Sequence, residues 1–191
     1  MSQVSSSVGE KVAKIEMLVQ QLKQMEGKEK AQSTLLGYAK YQMESYLTPP
    51  HIKLLASKLE AVERGEIKRL AIFMPPRHGK SILTSEFFPA WYLGRNPKKF
   101  IICSTYGQEL ADDFGRKVRN QLQDPHYQEI FPDVGLATDS SSMRRFNTSK
   151  GGVYYAVGAG SAITGRGAHL LLIDDPIKGR EDADSEAMRN N

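Results

Sequence analysis

Two short runs carry the residue types that handle phosphate. In residues 69–81, RLAIFMPPRHGKS, an apolar run leads into a loop that closes on Gly79, Lys80 and Ser81. In residues 169–175, HLLLIDD, a second apolar run ends on Asp174 and Asp175. A loop of the first kind offers backbone N–H groups and a lysine to a nucleotide's phosphates, and its hydroxyl residue ligates Mg²⁺. A carboxylate at the end of a neighbouring buried strand supplies the same ion from the other side. Either run alone is a weak signal. In this order they point to a nucleoside triphosphatase.

Each residue has a chemical role to test against a plainer one. Lys80 is a point charge for the β- and γ-phosphates, and Ser81 is a hydroxyl ligand for Mg²⁺. Pro76, Arg77, His78 and Gly79 form the loop around the phosphates, at a strand-to-helix junction where anions bind readily. The usual pattern is half met: five residues before Gly79 stands Met74 rather than glycine, and Pro75 with Pro76 stiffens the turn. Asp174 reads as the Mg²⁺ carboxylate. Asp175 reads as the base that orients an attacking water, one methylene shorter than the glutamate many such enzymes use. For both, the plainer reading is a strand that ends in polar residues. Arg77 either forks onto phosphate oxygens or faces solvent. His78 reads as a loop residue rather than a proton carrier. Arg166, between Gly165 and Gly167, is an arginine presented to phosphate, in its own or a neighbouring subunit, or a basic loop that touches DNA.

These side chains need a scaffold, and hydrophobic spacing predicts one. Residues 1–45 form an N-terminal helical segment in which Val8, Val12, Ile15, Val19 and Leu22 mark one stripe. Two heptads are too few to argue a coiled coil from spacing alone; Gly27 and the charged run after it should interrupt that helix, which would dock on the main domain or on a partner subunit. From residue 46 a second helix is expected, capped by Thr48, buried along Ile52, Leu55, Leu59 and Val62, and ended by Gly65. Residues 70–74 read as a parallel-type strand, followed by the loop and a helix from Lys80 that Pro89 should kink or split. Phe87, Phe88, Trp91 and Tyr92 would face the core. KFIICSTY is the next strand and GQELADDFGRKVRNQL the next helix. MRRFNTSKGGVYYAVGAG reads as a β-hairpin, SAITGRGAH as a small-residue loop into the carboxylate strand, and the end of the chain as a polar, acidic tail. Such alternation predicts an α/β fold, an open and mainly parallel sheet with helices on both faces.

Composition sets the bounds. At 191 residues the chain suits one core, and its formal charge of +4 is compatible with nucleic acid without requiring it. Cys103, the single cysteine, cannot form an internal disulfide and reads as a buried structural thiol. No apolar run approaches the length of a membrane span, which points to a cytosolic protein.

The runs PPRHGKS, FIICSTYGQELADDFGRKVRN and above all GAGSAITGRGAHLLLIDDPIKGREDAD resemble the ATPase domain of bacteriophage terminase large subunits. The resemblance covers about residues 46–185. It implies a phosphate-loop NTPase of the additional-strand type that hydrolyses ATP with Mg²⁺ to drive double-stranded DNA into a prohead. A small terminase subunit, a portal protein and a homo-oligomeric ring would be its partners, and the host cytoplasm its location. In that family the loop often lacks its first glycine and carries an arginine, as at Met74 and Arg77. The magnesium carboxylate falls on Asp174, the catalytic acid on Asp175, an arginine that acts across the subunit interface on Arg166, and the adenine-side motif near residues 46–51.

The resemblance also implies parts beyond the carboxylate strand. A strand carrying a coupling motif would lie between residues 70–74 and 170–174, and an RNase H-type nuclease domain would follow. With about sixteen residues after Asp175, residues 46–191 read as a partial phosphate-loop domain without the nuclease, weak or inactive by itself. Two other classes compete. A helicase-like, nucleic-acid-stimulated ATPase would share the loop and the double aspartate, although this chain continues Asp-Asp-Pro-Ile. A non-enzymatic assembly module would use the surface without turnover.

Overall fold

A computed structural model describes residues 2–140, 142–161 and 165–179. The acidic tail expected after Gly179, and residues 162–164 of the small-residue loop, lie outside the described residues.

The sheet forms where β-branched and aromatic residues cluster. Strand β1, Phe100–Thr105, pairs in parallel with β3, Val153–Gly158, on one side and with β4, Leu170–Ile173, on the other. Strand β2, Arg145–Asn147, closes the expected hairpin antiparallel to β3, giving the order β2-β3-β1-β4. The sheet is α/β and mainly parallel, as the alternation predicts.

Side chains alternate across a strand, so register decides which face each one serves. Ile101, Tyr154 and Leu170 stand in register, as do Cys103, Ala156 and Leu172, and all of these join the helix-packed core. Helix α5, Gln108–Gln123, lies on this face and buries Ala111, Phe114, Val118 and Leu122. The opposite face is different. Leu171 and Ile173, on the edge strand, are 56% and 60% exposed, whereas Ile102 beside Leu171 and Val153 and Val157 of β3 are buried but lie outside that helix-packed core. Helices on both faces were expected; among the described residues they cover one. The described parts of the connection from β3 to β4 explain this, because they are glycine-rich and form no helix to lay on a sheet.

The helical layer is built from both halves of the chain. Helix α1, Ser2–Ser33, runs through Gly27 instead of stopping there. An interior glycine costs about 1 kcal/mol, and the lysines, glutamates and alanine around it favour a helix. Thr34 ends α1 and caps α2, Leu35–Gln42, by accepting from the Gly37 N–H. Leu35, Tyr38 and Ala39 are fully buried in the same core as the sheet. Helix α3, Pro50–Glu63, starts at Pro49 with no side-chain cap, so Thr48 does not take the role expected of it. Its stripe is buried at Ile52, Leu55 and Leu59, and Gly65 follows it at φ +78°.

From Lys80 the chain is helical to Arg95, but not uniformly α-helical. Residues Ile82–Phe87 form a π-helical segment that leads into α4, Phe88–Arg95, and the Phe88 N–H bonds five residues back to Leu83. Pro89 supplies the reason. It has no N–H for the Ser85 carbonyl, and its ring would clash with that carbonyl in an α-helix, so the turn widens. Trp91 is buried in α4 and donates to the Ala31 and Gln32 carbonyls at 3.2 Å each, satisfying orphan acceptors at the end of α1. Helix α6, Pro125–Ile130, completes the layer through Tyr127 and Ile130.

Residues 70–74 form no regular element and pair with no described strand. Between residues 72–75 and β4 runs an open cleft of about 580 Å³, lined by Ile72, Met74, Lys80, Ile173 and Asp175 among others. The expected parallel strand is therefore a lone segment facing an unpaired edge, with Phe73 93% exposed.

Candidate active site

The loop needs backbone geometry that few residues adopt. Gly79 sits at φ +83°, and a Cβ there would lie 3.2 Å from Ile52 Cδ1, so the position is restricted twice over. Arg77, at φ +62°, and Asp175, at φ +45°, are the non-glycine residues with positive φ among the described residues. Backbone in this region is held at a cost and concentrates at functional sites. His78 Nδ1 lies 2.8 Å from the Pro76 carbonyl, and the His78 ring meets His51 edge-on at 5.9 Å. His51, at the start of α3, thus lies beside the loop.

Two strands present the carboxylates. The β1–β4 ladder continues past Ile173, with the Asp174 N–H on the Ser104 carbonyl at 2.9 Å and the Tyr106 N–H on the Asp175 carbonyl at 3.0 Å. Both aspartates therefore sit at the carboxyl edge of the parallel sheet, where open α/β sheets place their ligands. The Lys80 ammonium lies 2.8 Å from Asp174 Oδ1 and 2.8 Å from Asp175 Oδ1. Asp174 is 5% exposed, whereas the Asp175 side chain is 60% exposed. One carboxylate is a buried, fixed acceptor, and the other faces solvent.

The electrostatics follow from that difference. Burial alone would raise the Asp174 pKa, but hydrogen bonds from Lys80, Ser81 and Ser85 hold it below the ordinary carboxylate value. Desolvation would lower the Lys80 pKa, and its bonds to Asp174 and Asp175 override this and raise it. The cluster is a lysine cation bridging two carboxylates.

Sequence reasoning missed Ser85. It is 1% exposed and donates to Asp174 Oδ2 at 2.8 Å, opposite the oxygen that Lys80 holds. Thr84 Oγ1 lies 3.2 Å from the Ser85 hydroxyl and donates to the Lys80 carbonyl at 3.0 Å. Ser85 stands four residues after Ser81, one helical turn on the same face, and that spacing was the available signal. Arg166 lies elsewhere: its guanidinium carbon is 4.5 Å over the Tyr155 ring, which Arg145 also approaches at 5.6 Å. The structure brings together Lys80, Ser81, Asp174 and Asp175 and puts Arg166 on β3's Tyr155. Cys103 is fully buried on the core face of β1, and burial pushes its thiol pKa up to about 11.

The family model for the N-terminal part of terminase large subunits of T4-like-virus type matches residues 71–191. That span takes in the loop, the whole sheet and both aspartates, and it is well over half the chain. The chain belongs to the terminase large-subunit family. Membership ties it to phage DNA packaging. Helices α1 to α3 precede the matched span of this terminase chain. No curated protein and no solved structure matches it. No helix among the described residues is long and apolar enough to cross a membrane.

Proposed function

We propose that this terminase chain binds Mg-ATP at the Lys80–Asp174–Asp175 cluster and hydrolyses it, as the motor portion of a machine that moves double-stranded DNA into a prohead. The observation that carries the reading is the convergence of Lys80 with two aspartates at the carboxyl edge of the sheet, beside a loop held at positive φ. The donor set fits the ion: a buried carboxylate and a hydroxyl suit Mg²⁺, which keeps several waters and takes its other ligands from phosphate. Bound Mg²⁺ would neutralise charge developing on the phosphates.

This chain's own residues then divide the work. Lys80 exchanges its carboxylate partners for phosphate oxygens. Ser81 and Asp174 hold the ion, Ser85 keeps the Asp174 carboxylate turned, and Asp175 orients water. Pro76, Arg77, His78 and Gly79 wrap the phosphates. Arg166 would serve a neighbouring copy in a ring, from a site apart from its own chain's cluster. The small terminase subunit and the portal protein complete the assembly.

A titration with a slowly hydrolysed ATP analogue, with and without Mg²⁺, tests the assignment. Lys80→Ala should weaken binding at least about tenfold, or about 1.4 kcal/mol. Asp174→Asn should lose the Mg²⁺-dependent part of the affinity, and Asp175→Asn should keep binding while turnover falls. Parental affinity in Lys80→Ala would remove the phosphate-loop reading.

A further inference from the structure

Helix α1 presents an apolar stripe that its own fold leaves uncovered. Val12, Ile15, Val19 and Leu22 are all exposed, at 48%, 59%, 43% and 57%, with Leu18 and Met25 exposed along one flank and Met17 on the far side. Their spacing places the valines at the a positions and Ile15 and Leu22 at the d positions of two heptads. A projecting helix with no tertiary contact is marginal in water, so a stripe of this kind needs a cover.

The same heptad frame shows where the body of the molecule attaches. Gly27, Lys28 and Ala31 anchor the C-terminal end of α1: Gly27 is half-buried, Lys28 pairs with Glu129 at 3.1 Å, and Ala31 is fully buried. They occupy positions b, c and f, on the side away from the a and d seam. Two helices can therefore meet along the seam with both bodies on the outside. The seam has a defined end, because the next a and d positions are the exposed glutamates Glu26 and Glu29.

Charge selects the direction. In a parallel, in-register pair, Lys11 at position g faces Glu16 at position e of the partner subunit, and symmetry makes the contact twice. An antiparallel pair that set Val12 against the partner's Leu22 would bring Glu16 close to the partner's Glu16, a like-charge contact. Valine at both a positions and Leu22 at d match the two-stranded preference, to which Ile15 at the other d position does not add. We infer that two copies of this chain pair in parallel through α1, with Val12, Ile15, Val19 and Leu22 as the seam and Lys11 with Glu16 as the register lock. The inference is independent of the nucleotide site.

Oxidative cross-linking of the full chain tests it. The buried Cys103 does not compete for the oxidant. Leu22→Cys, on the seam, should form a disulfide dimer at least about tenfold faster than Gln20→Cys on the outer face, because pairing raises the local thiol concentration toward millimolar. Lys11→Glu should slow that reaction, and Lys11→Glu with Glu16→Lys should restore it. Equal rates for Leu22→Cys and Gln20→Cys would overturn the inference and assign the stripe to a different protein. A mixture of Val12→Cys and Leu22→Cys chains that cross-links to each other faster than Leu22→Cys does to itself would overturn the parallel arrangement.

Discussion

Arg77 shows how the site is held at the scale of a residue. A long side chain at φ +62° is unfavourable by about 1–2 kcal/mol, and glycine avoids most of that while adding unfolded-state entropy. Arg77→Gly should therefore stabilise the chain slightly, raising the thermal midpoint by about 1–3 °C for a protein of this size. Arg77→Val, β-branched and intolerant of positive φ, should lower it. A midpoint that falls with glycine would show that the arginine side chain contributes more than its backbone strain costs. Asp175 shares the left-handed geometry, but aspartate tolerates it better, and its carbonyl is fixed by the Tyr106 N–H. The two aspartates are neighbours in sequence just past the end of β4, yet one is buried and the other open, the chain turning to positive φ at Asp175.

At the scale of an element, the helix after the loop is the informative part. Pro89 lies far from the carboxylates in sequence, but the wider π turn it imposes includes the residue that turns Asp174. The Ser85 hydroxyl binds a buried carboxylate, so removing it leaves a charge with one bond fewer. Ser85→Ala should destabilise the protein by about 1.5–3 kcal/mol in urea unfolding, the range for hydrogen bonds to charged groups. A loss below about 0.5 kcal/mol would mean that water or Thr84 replaces the hydroxyl. The same helix end explains why Gly94 is small. A Cβ there would lie 2.4 Å from the Phe131 ring, so the glycine permits a close approach within the helix, which ends at Arg95.

For the whole molecule, the cluster couples folding to pH. Asp174 has a lowered pKa, so its contribution is present above the ordinary carboxylate value and is lost as pH falls through the lowered one. Lys80 has a raised pKa, so its contribution is complete below the ordinary lysine value and is lost only as pH rises through the raised one. Between these limits the bridge is intact. The difference in thermal midpoint between the parent and Asp174→Asn should be largest near neutrality and shrink as pH drops below about 4. A difference independent of pH would show that Asp174 contributes through shape and not through charge. The exposed outer side chains of β4 and the open cleft beside it belong to this scale too. They leave Leu171, Ile173 and Phe73 in solvent while the opposite side of the sheet is densely packed.

Much of the scaffold was legible because it rests on local rules. The hairpin, β1, α5 and the split at Pro89 follow from alternation, helical periodicity and a missing N–H, all of which act within a few residues. Lys80, Ser81, Asp174 and Asp175 were legible as residue types following two apolar runs. Tertiary structure alone decided which partners those elements found. Residues 70–74 have a strand's composition, but a ladder needs a second chain segment beside it, and none of the described strands lies there. The α1 stripe announced an apolar face without saying what would cover it. Ser85 looked like one more small residue until a π turn and a strand end brought it to Asp174, and Arg166 was a flexible-loop arginine until Tyr155 gave it a ring to stack on. Periodicity reports that a surface must be buried; only the arrangement of distant segments determines against what.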